Sequence, residues 1–374
     1  MNATTDLLVF SHLRWDFVYQ RPQHILSRLA QQRRVFYIEE PLHVPGAARH
    51  IEMRAVAPNN MVCRLITPDY TAGFFTTAED YTQAVVTMVR EAYQIGAYDC
   101  WFYTPMAVPV LDELTPRAVI YDCMDDLASF LHAPPELRTR EARLLDCADL
   151  VLTGGKSLYE SKRDRHHNVH CFPSSVDVAH FTQAQQPLTA PADQERIPLP
   201  RLGFYGVIDE RLDIELVAAL ADAHREWQII LIGPIVKIDP ATLPRRSNLY
   251  YLGGKSYDQL PWYLSGWDVC LLPFAINKAT RHISPTKTLE YLAAGKPVVS
   301  TAIVDVVNSY RNIVSIAEDT AAFIAACEQA LCESASQRHE RLTGAGAAVA
   351  ATSWDSTVAA MTRLIELAAL RSVA

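Results

Sequence analysis

An otherwise acidic chain gathers positive charge in one short stretch. Lys278, Arg281, His282 and Lys287 lead into or open a segment reading Ser284-Pro285-Thr286-Lys287-Thr288-Leu289-Glu290. Ser284 followed by Pro285 is a helix start, with a hydroxyl at the N-cap and a proline at the first helical position. Gly295 ends that helix and Pro297 prevents its continuation. Lys287 is then badly placed for a free helix. The first turn carries the positive end of the dipole, so a cation there costs about 0.3–1 kcal/mol, and a capping box would put Glu or Gln at that position. A bound diphosphate reverses the sign of these terms, because the helix N–H groups and Lys287 would converge on it. Glu290 lies one turn on, on the face of Lys287, where a carboxylate can accept hydrogen bonds from ribose hydroxyls. A lone Lys–Glu pair is usually a solvated surface pair. The whole ensemble, at a helix start after a loop that follows a strand, is the pattern of an anion site.

Two further clusters lie nearer the N-terminus. The loop after residues 7–11 carries His12, Arg14, Trp15, Asp16, Tyr19 and Arg21, and Pro22 suits a helix start. A tryptophan beside charged groups suits stacking on a sugar plus hydrogen bonding; the bland alternative is a plug at a domain interface with structural charges around it. Asp122, Asp125 and Asp126 cluster at the carboxyl end of residues 118–122. Three readings stand for them: a divalent-cation site, a base that orients or deprotonates a hydroxyl, or a helix cap with a surface acid. His166, His167 and His170 run from a loop into a strand, not along one helical face, so no metal is expected there. Gly154-Gly155-Lys156-Ser157 lacks the upstream glycine of a phosphate loop and reads as a strand-to-helix turn.

The elements that must hold these clusters alternate. Short apolar runs at 7–11, 35–39, 61–66, 98–103, 118–122, 150–153 and 169–172 read as strands, with helices at 20–32, 79–94 and 135–147. Residues 183–200, rich in Pro, Gln and Ala and without period, read as a linker. The alternation restarts with strands at 202–205, 228–232, 249–252, 269–273, 298–300 and 313–316, and helices between them. A last helical run covers 356–369. Continuous apolar strands between amphipathic helices indicate parallel sheets covered on both faces. The expected fold class is therefore α/β, two Rossmann-like doubly wound domains, with ligands outside the carboxyl ends of the strands. The expected boundaries are 1–182, a linker at 183–200, and 201–354, with helix 355–371 packing back on the first domain.

Bulk properties agree with an ordinary enzyme. The 374 residues are 49% hydrophobic and 20% charged, and the formal net charge of −8 argues against a general nucleic-acid surface. The 8 cysteines form no C-x-x-C pair and read as reduced core residues. No signal-peptide pattern opens the chain, and no apolar run approaches the ~20 residues that span a bilayer. A cytoplasmic protein is expected, with any membrane association peripheral, at the inner face.

The stretch S-P-T-K-T-L-E-Y-L-A-A-G-K-P-V-V resembles the nucleotide-sugar motif of GT-B glycosyltransferases, in the large retaining group (group 1, family 4-like) that builds cell-surface polysaccharides. The resemblance extends in order and spacing over most of the chain. Residues 202–213 resemble the group's phosphate loop, residues 227–234 and 248–253 its next strands, and W-D…Q-R-P-Q-H a pattern near the N-terminus of one branch. It implies a GT-B fold whose domains face each other across a cleft. It implies that Glu290 binds the donor ribose, that the backbone around Ser284, Pro285, Thr286 and Lys287 binds the diphosphate, that Gly206 lets the backbone approach, and that Arg211 supplies charge. His12, Arg14, Trp15, Asp16 and Arg21 fall on the acceptor side, and Asp125 or Asp126 would orient or deprotonate the acceptor hydroxyl.

Two departures stand out. Many members carry a first glutamate that contacts the sugar; this chain has His282 there, which leaves the sugar and the stereochemical outcome open. The arginine that often follows the phosphate-loop glycine is replaced by Val207. The expected activity is transfer of a sugar from a UDP- or GDP-type donor to a glycan or lipid-linked acceptor, retaining, with no metal and no cofactor beyond the donor. Alternatives on the same fold are a sugar-nucleotide 2-epimerase or hydrolase, and a non-catalytic nucleotide-sugar-binding subunit. A dehydrogenase is not expected, since no strand runs into G-x-G-x-x-G.

Overall fold

The computed structural model describes residues 5–68 and 79–371. The first residues of the polar N-terminus, read above as lacking a signal peptide, lie outside the described part. The chain divides into two compact units: residues up to 128, 132–173 and 355 onward form one, and residues 129–131 and 174–354 the other.

The first unit holds β1 (Asp6–Ser11), β2 (Val35–Glu39), β3 (Leu42–His43), β4 (His50–Ala57), β5 (Asn60–Thr67), β6 (Tyr98–Phe102), β7 (Val119–Cys123), β8 (Leu150–Thr153) and β9 (Val169–Cys171). They form a nine-stranded sheet ordered β3-β5-β2-β1-β6-β7-β8-β9, with β4 antiparallel to β5 and the other pairings parallel. β1, β2, β6, β7 and β8 are buried along their whole lengths, which is why they read as unbroken apolar runs. β4 left no such trace. Its residues are half-buried or exposed, and it joins β5 through a turn in which Asn59 takes a left-handed φ of 60°. The last helix, Trp354–Arg371, pairs Asp355 with Arg28 at 2.6 Å and Glu366 with Arg117 at 3.4 Å.

The second unit holds β10 (Arg201–Tyr205), β11 (Gln228–Ile232), β12 (Leu249–Tyr251), β13 (Val269–Leu272), β14 (Val298–Thr301) and β15 (Ser315–Ala317). All pairings are parallel, in the order β12-β11-β10-β13-β14-β15. The strand order reverses between β10 and β13, as it does between β1 and β6. Such a switch point opens a crevice at the carboxyl ends. Here the β10–β13 ladder pairs Leu202 with Val269 and Gly203 with Cys270, while β10 runs on to Tyr205.

Residues 183–200 depart from the expected linker. They belong to the second unit and are pinned to it by polar side chains. Gln194, fully buried, accepts from Trp267 Nε1 at 2.8 Å and donates to Tyr263 O at 3.0 Å. Asp193 binds Lys255 at 2.6 Å and Tyr263 Oη at 2.7 Å. Prolines and glutamines carry no apolar period, so this kind of anchoring is silent in a hydrophobicity pattern. Gly203 completes it: a Cβ there would lie 2.2 Å from Trp267, so only glycine lets the indole lie on the sheet.

Candidate active site

β10 leads into Gly206, whose φ of +142° is a conformation that side chains rarely adopt. Gly206 N donates to Ile232 O at 2.8 Å, and the next strand ends at Gly233, also left-handed at φ +150°. A Cβ on Gly233 would lie 1.8 Å from Gly206 O, so the two strand ends meet backbone to backbone. Lys287 reaches the same point from the helix Lys287–Ala293. A Cβ on Gly206 would lie 2.9 Å from Lys287 Cε and 3.1 Å from Nζ. The ammonium stands 5.5 Å from the Phe204 ring centroid and 5.4 Å from that of Phe274. Aromatic faces attract a cation, and they fix its place beside Gly206.

One turn along, Glu290 is buried and its Oε2 accepts a hydrogen bond from the Tyr205 hydroxyl. The Tyr205 amide in turn donates to Tyr291 Oη at 3.1 Å. Beyond Gly203 the β10–β13 pairing has ended, so this N–H takes its partner from a side chain of the helix. Tyr205 is thus held at both ends by neighbouring residues of one helix. Burial pushes the Glu290 carboxyl above its ordinary value; the Tyr205 hydrogen bond and the Lys287 charge oppose that. Burial, then the Glu290 charge, pushes the Tyr205 hydroxyl well up, so the proton stays on tyrosine.

Arg211 lies in the loop after β10, and its charge is already shared. Its guanidinium grips Asp209 with contacts of 3.0, 3.1 and 2.7 Å. The Phe130 ring covers it at 5.3 Å and also faces Lys237 at 5.0 Å. The loop after β13 is tied to this one: Ala275 N donates to Arg211 O at 2.8 Å and Asn277 Nδ2 to Glu210 O at 3.1 Å. Asn277 and Thr280 then bind each other, amide to side chain in both directions, at 3.0 and 3.1 Å. This turn carries the chain to His282, Ser284, Pro285 and Thr286, all half-buried, while Lys278 and Arg281 are exposed. The regular helix opens later than its capping residues suggest. Thr286 stands at the N-cap with helical angles, and Thr288 N reaches back to Pro285 O at 3.1 Å. Ser284 and Pro285 form the turn before the helix and not its cap.

In the first unit, the loop after β1 is built around Glu39 and Gln23. Glu39 accepts from Trp15 N at 2.7 Å and Arg14 Nη1 at 3.2 Å. Gln23 Nε2 donates to Trp15 O at 2.7 Å and Val18 O at 3.0 Å. Trp15 is half-buried with its ring edge-on to Tyr37 at 5.1 Å. His12 is half-buried, and Asp16 is exposed and paired with Arg54. Arg21, expected on the acceptor side, is instead held inside the first unit. It is 1% exposed and binds Asp122 through Nε at 3.0 Å and Nη2 at 2.8 Å, with Nη1 on Phe172 O at 2.7 Å. Burial of a guanidinium demands such a partner, and the pairing takes Asp122 out of the acidic cluster. Asp125 and Asp126 are half-buried in the turn after β7. A Cβ on Gly154 would lie 3.0 Å from the Met124 backbone, so this turn packs on the one after β8. His166 meets Ala148 O at 2.9 Å and His170 meets Asn168 Oδ1 at 2.9 Å.

Tyr205, Asp209 and Gly233 join the site only in the structure. Tyr205 and Gly233 stood in or after apolar strands and were absorbed as strand residues. A glycine closing a buried strand beside another strand-end glycine is the signal that marks Gly233.

Against known proteins, residues 199–333 match the family model described as Glycosyl transferases group 1. The chain is 24% identical over 298 residues to a putative teichuronic acid biosynthesis glycosyltransferase of Bacillus subtilis, covering 68% of this chain and 75% of the relative. Among solved structures, it is similar to a sucrose-phosphate synthase from Thermosynechococcus elongatus, with a TM-score of 0.74 at 15% identity over 99% of this chain and 100% of that one. It is also similar to a trehalose-6-phosphate protein from E. coli solved with UDP-2-fluoro glucose, with a TM-score of 0.70 at 13% identity over 96% and 99% of the two chains. These neighbours share the GT-B fold, and the matched domain spans β10 to the helix Thr320–Leu331, which includes Gly206, Lys287 and Glu290. Residues 199–333 thus form a group 1 glycosyltransferase domain within a chain of GT-B fold.

Proposed function

We propose that this glycosyltransferase moves a sugar from a UDP- or GDP-type donor to a glycan or lipid-linked acceptor, with retention and without a metal. The observation that carries the donor reading is the approach of Lys287 to Gly206, with Glu290 one turn along the same helix. Backbone at Gly206 and the Lys287 ammonium bracket the space for a diphosphate, and Glu290 suits the ribose. As the sugar–phosphate bond breaks, negative charge grows on the diphosphate. A preorganised cation in a partly buried setting stabilises it. Lys287 carries most of that role, and Arg211 acts with its charge tempered by Asp209. A cationic cradle needs no divalent ion, which supports the metal-free reading.

Trp15 supports stacking on the acceptor, and Asp125 or Asp126 suits a base for its hydroxyl. The Bacillus relative, named for teichuronic acid biosynthesis, supports a polysaccharide acceptor. No helix among the described residues is long and apolar enough to cross a membrane. The proposed setting is cytoplasmic, peripheral at the inner membrane face, with no nucleic-acid partner.

The test is incubation with UDP- and GDP-sugars in chelator, with and without glycan or lipid-linked acceptors. Nucleotide release coupled to a glycosylated product supports transfer. Donor conversion without acceptor points instead to a 2-epimerase or hydrolase. Tight binding with no turnover points to a binding subunit, the reading that His282 favours.

A further inference from the structure

The Tyr205–Glu290 pair does more than fill the core, and the argument rests on the donor reading above. Tyr205 is the last residue of β10, at the switch point. Its amide is taken by Tyr291 Oη and its hydroxyl by Glu290 Oε2, so its position is set by two consecutive helix residues. Its ring is boxed in by Tyr291 at 5.0 Å and Trp267 at 6.3 Å. The carboxylate it touches is buried and cannot turn without losing that bond. A carboxylate with both oxygens free can accept from both hydroxyls of a ribose at once. One whose Oε2 already accepts from a fixed, buried hydroxyl keeps both lone pairs only on Oε1, which is then the better acceptor.

We propose that Tyr205 is the positioning residue for the ribose-binding carboxylate, fixing Glu290 so that one oxygen alone reads the ribose and one of its two hydroxyls is recognised through it. The groups around Glu290 are consistent with this division of labour. Lys287 lies on its own helix and Tyr205 on β10, and Cys270 of β13 lies by the two tyrosines, where burial keeps its thiol protonated. Lys287 serves the diphosphate and Tyr205 the carboxylate, so the two contacts separate experimentally.

The experiment is calorimetric titration of the full chain with UDP and GDP, and then with the 2′-deoxy and 3′-deoxy forms of whichever binds. Wild type should lose about ten-fold or more on removal of one hydroxyl and little on removal of the other, the loss of one hydrogen bond to a charged group. Tyr205→Phe keeps the ring in its box and frees Glu290. It should narrow the difference between the two deoxy forms to within about three-fold, with affinity for inorganic pyrophosphate unchanged. A variant that discriminates as wild type does overturns the role of Tyr205 while leaving the donor site standing. A wild type that binds neither nucleotide overturns both readings. Should Tyr205→Phe not fold, Tyr291→Phe replaces it, because it removes the acceptor of the Tyr205 amide and releases the other end of the same residue. The difference between the deoxy forms should narrow in the same sense, and a difference as large as in wild type overturns the proposal.

Discussion

Lys287 Nζ stands where a side chain on Gly206 would begin, 3.1 Å from the position of its Cβ. Two segments far apart in sequence thus share one point at the switch of the sheet, one giving backbone and the other charge.

Gly206→Ala tests that point. The substitution places a methyl group against Lys287 and forces alanine to φ +142°. The strained backbone should cost about 1–3 kcal/mol of stability, read by chemical denaturation. Nucleoside-diphosphate binding should fall further than the stability loss accounts for at a temperature where the variant is folded. Binding equal to wild type in a folded variant would remove Lys287 from the diphosphate.

Arg211 should matter less than its position suggests. Asp209 already offsets much of its charge, so Arg211→Ala is expected to weaken nucleotide binding by less than about ten-fold in calorimetry. A hundred-fold loss would mean that the guanidinium leaves Asp209 for the ligand.

Arg21 is predicted to be a stability residue. Removing one member of a buried pair leaves an uncompensated charge, so Arg21→Ala should cost about 3–5 kcal/mol, while Arg21→Met with Asp122→Leu recovers much of it. Denaturant midpoints decide this. A stable Arg21→Ala with impaired transfer would restore the acceptor role.

Much of the candidate site is legible in the chain because its signals are local. A lysine in a first turn, a proline before it and a glycine after lie within a few residues. The strands of both sheets were legible for the same reason: burial on two faces writes itself as unbroken apolar runs. What escaped was long-range. Arg21 finds Asp122 across 101 positions, and Tyr205 finds Glu290 across 85. No spacing rule reveals either partner. The anchoring of segment 183–200 is silent for the same reason: Gln194 and Asp193 hold it through hydrogen bonds, which leave no hydrophobic period.

Glu290 makes stability depend on pH with a definite sign. Burial raises its folded pKa above the ordinary 4.5. An acid shifted this way stabilises the fold fully below its unfolded pKa, and the contribution is lost as pH rises through the folded value. Glu290→Gln stays neutral throughout. Without ligand, its melting temperature should match wild type at about pH 4, near the ordinary carboxylate range, and exceed it increasingly toward neutrality. A gap that widens toward acid would contradict the buried, raised carboxyl.

The most direct measurement is a titration of wild type and Lys287→Ala with UDP and GDP in chelator. One nucleotide should bind wild type without metal, and the variant should bind it at least about ten-fold more weakly, the worth of a charge-assisted contact. Equal affinity in the two proteins, or binding only when a divalent ion is restored, would contradict it.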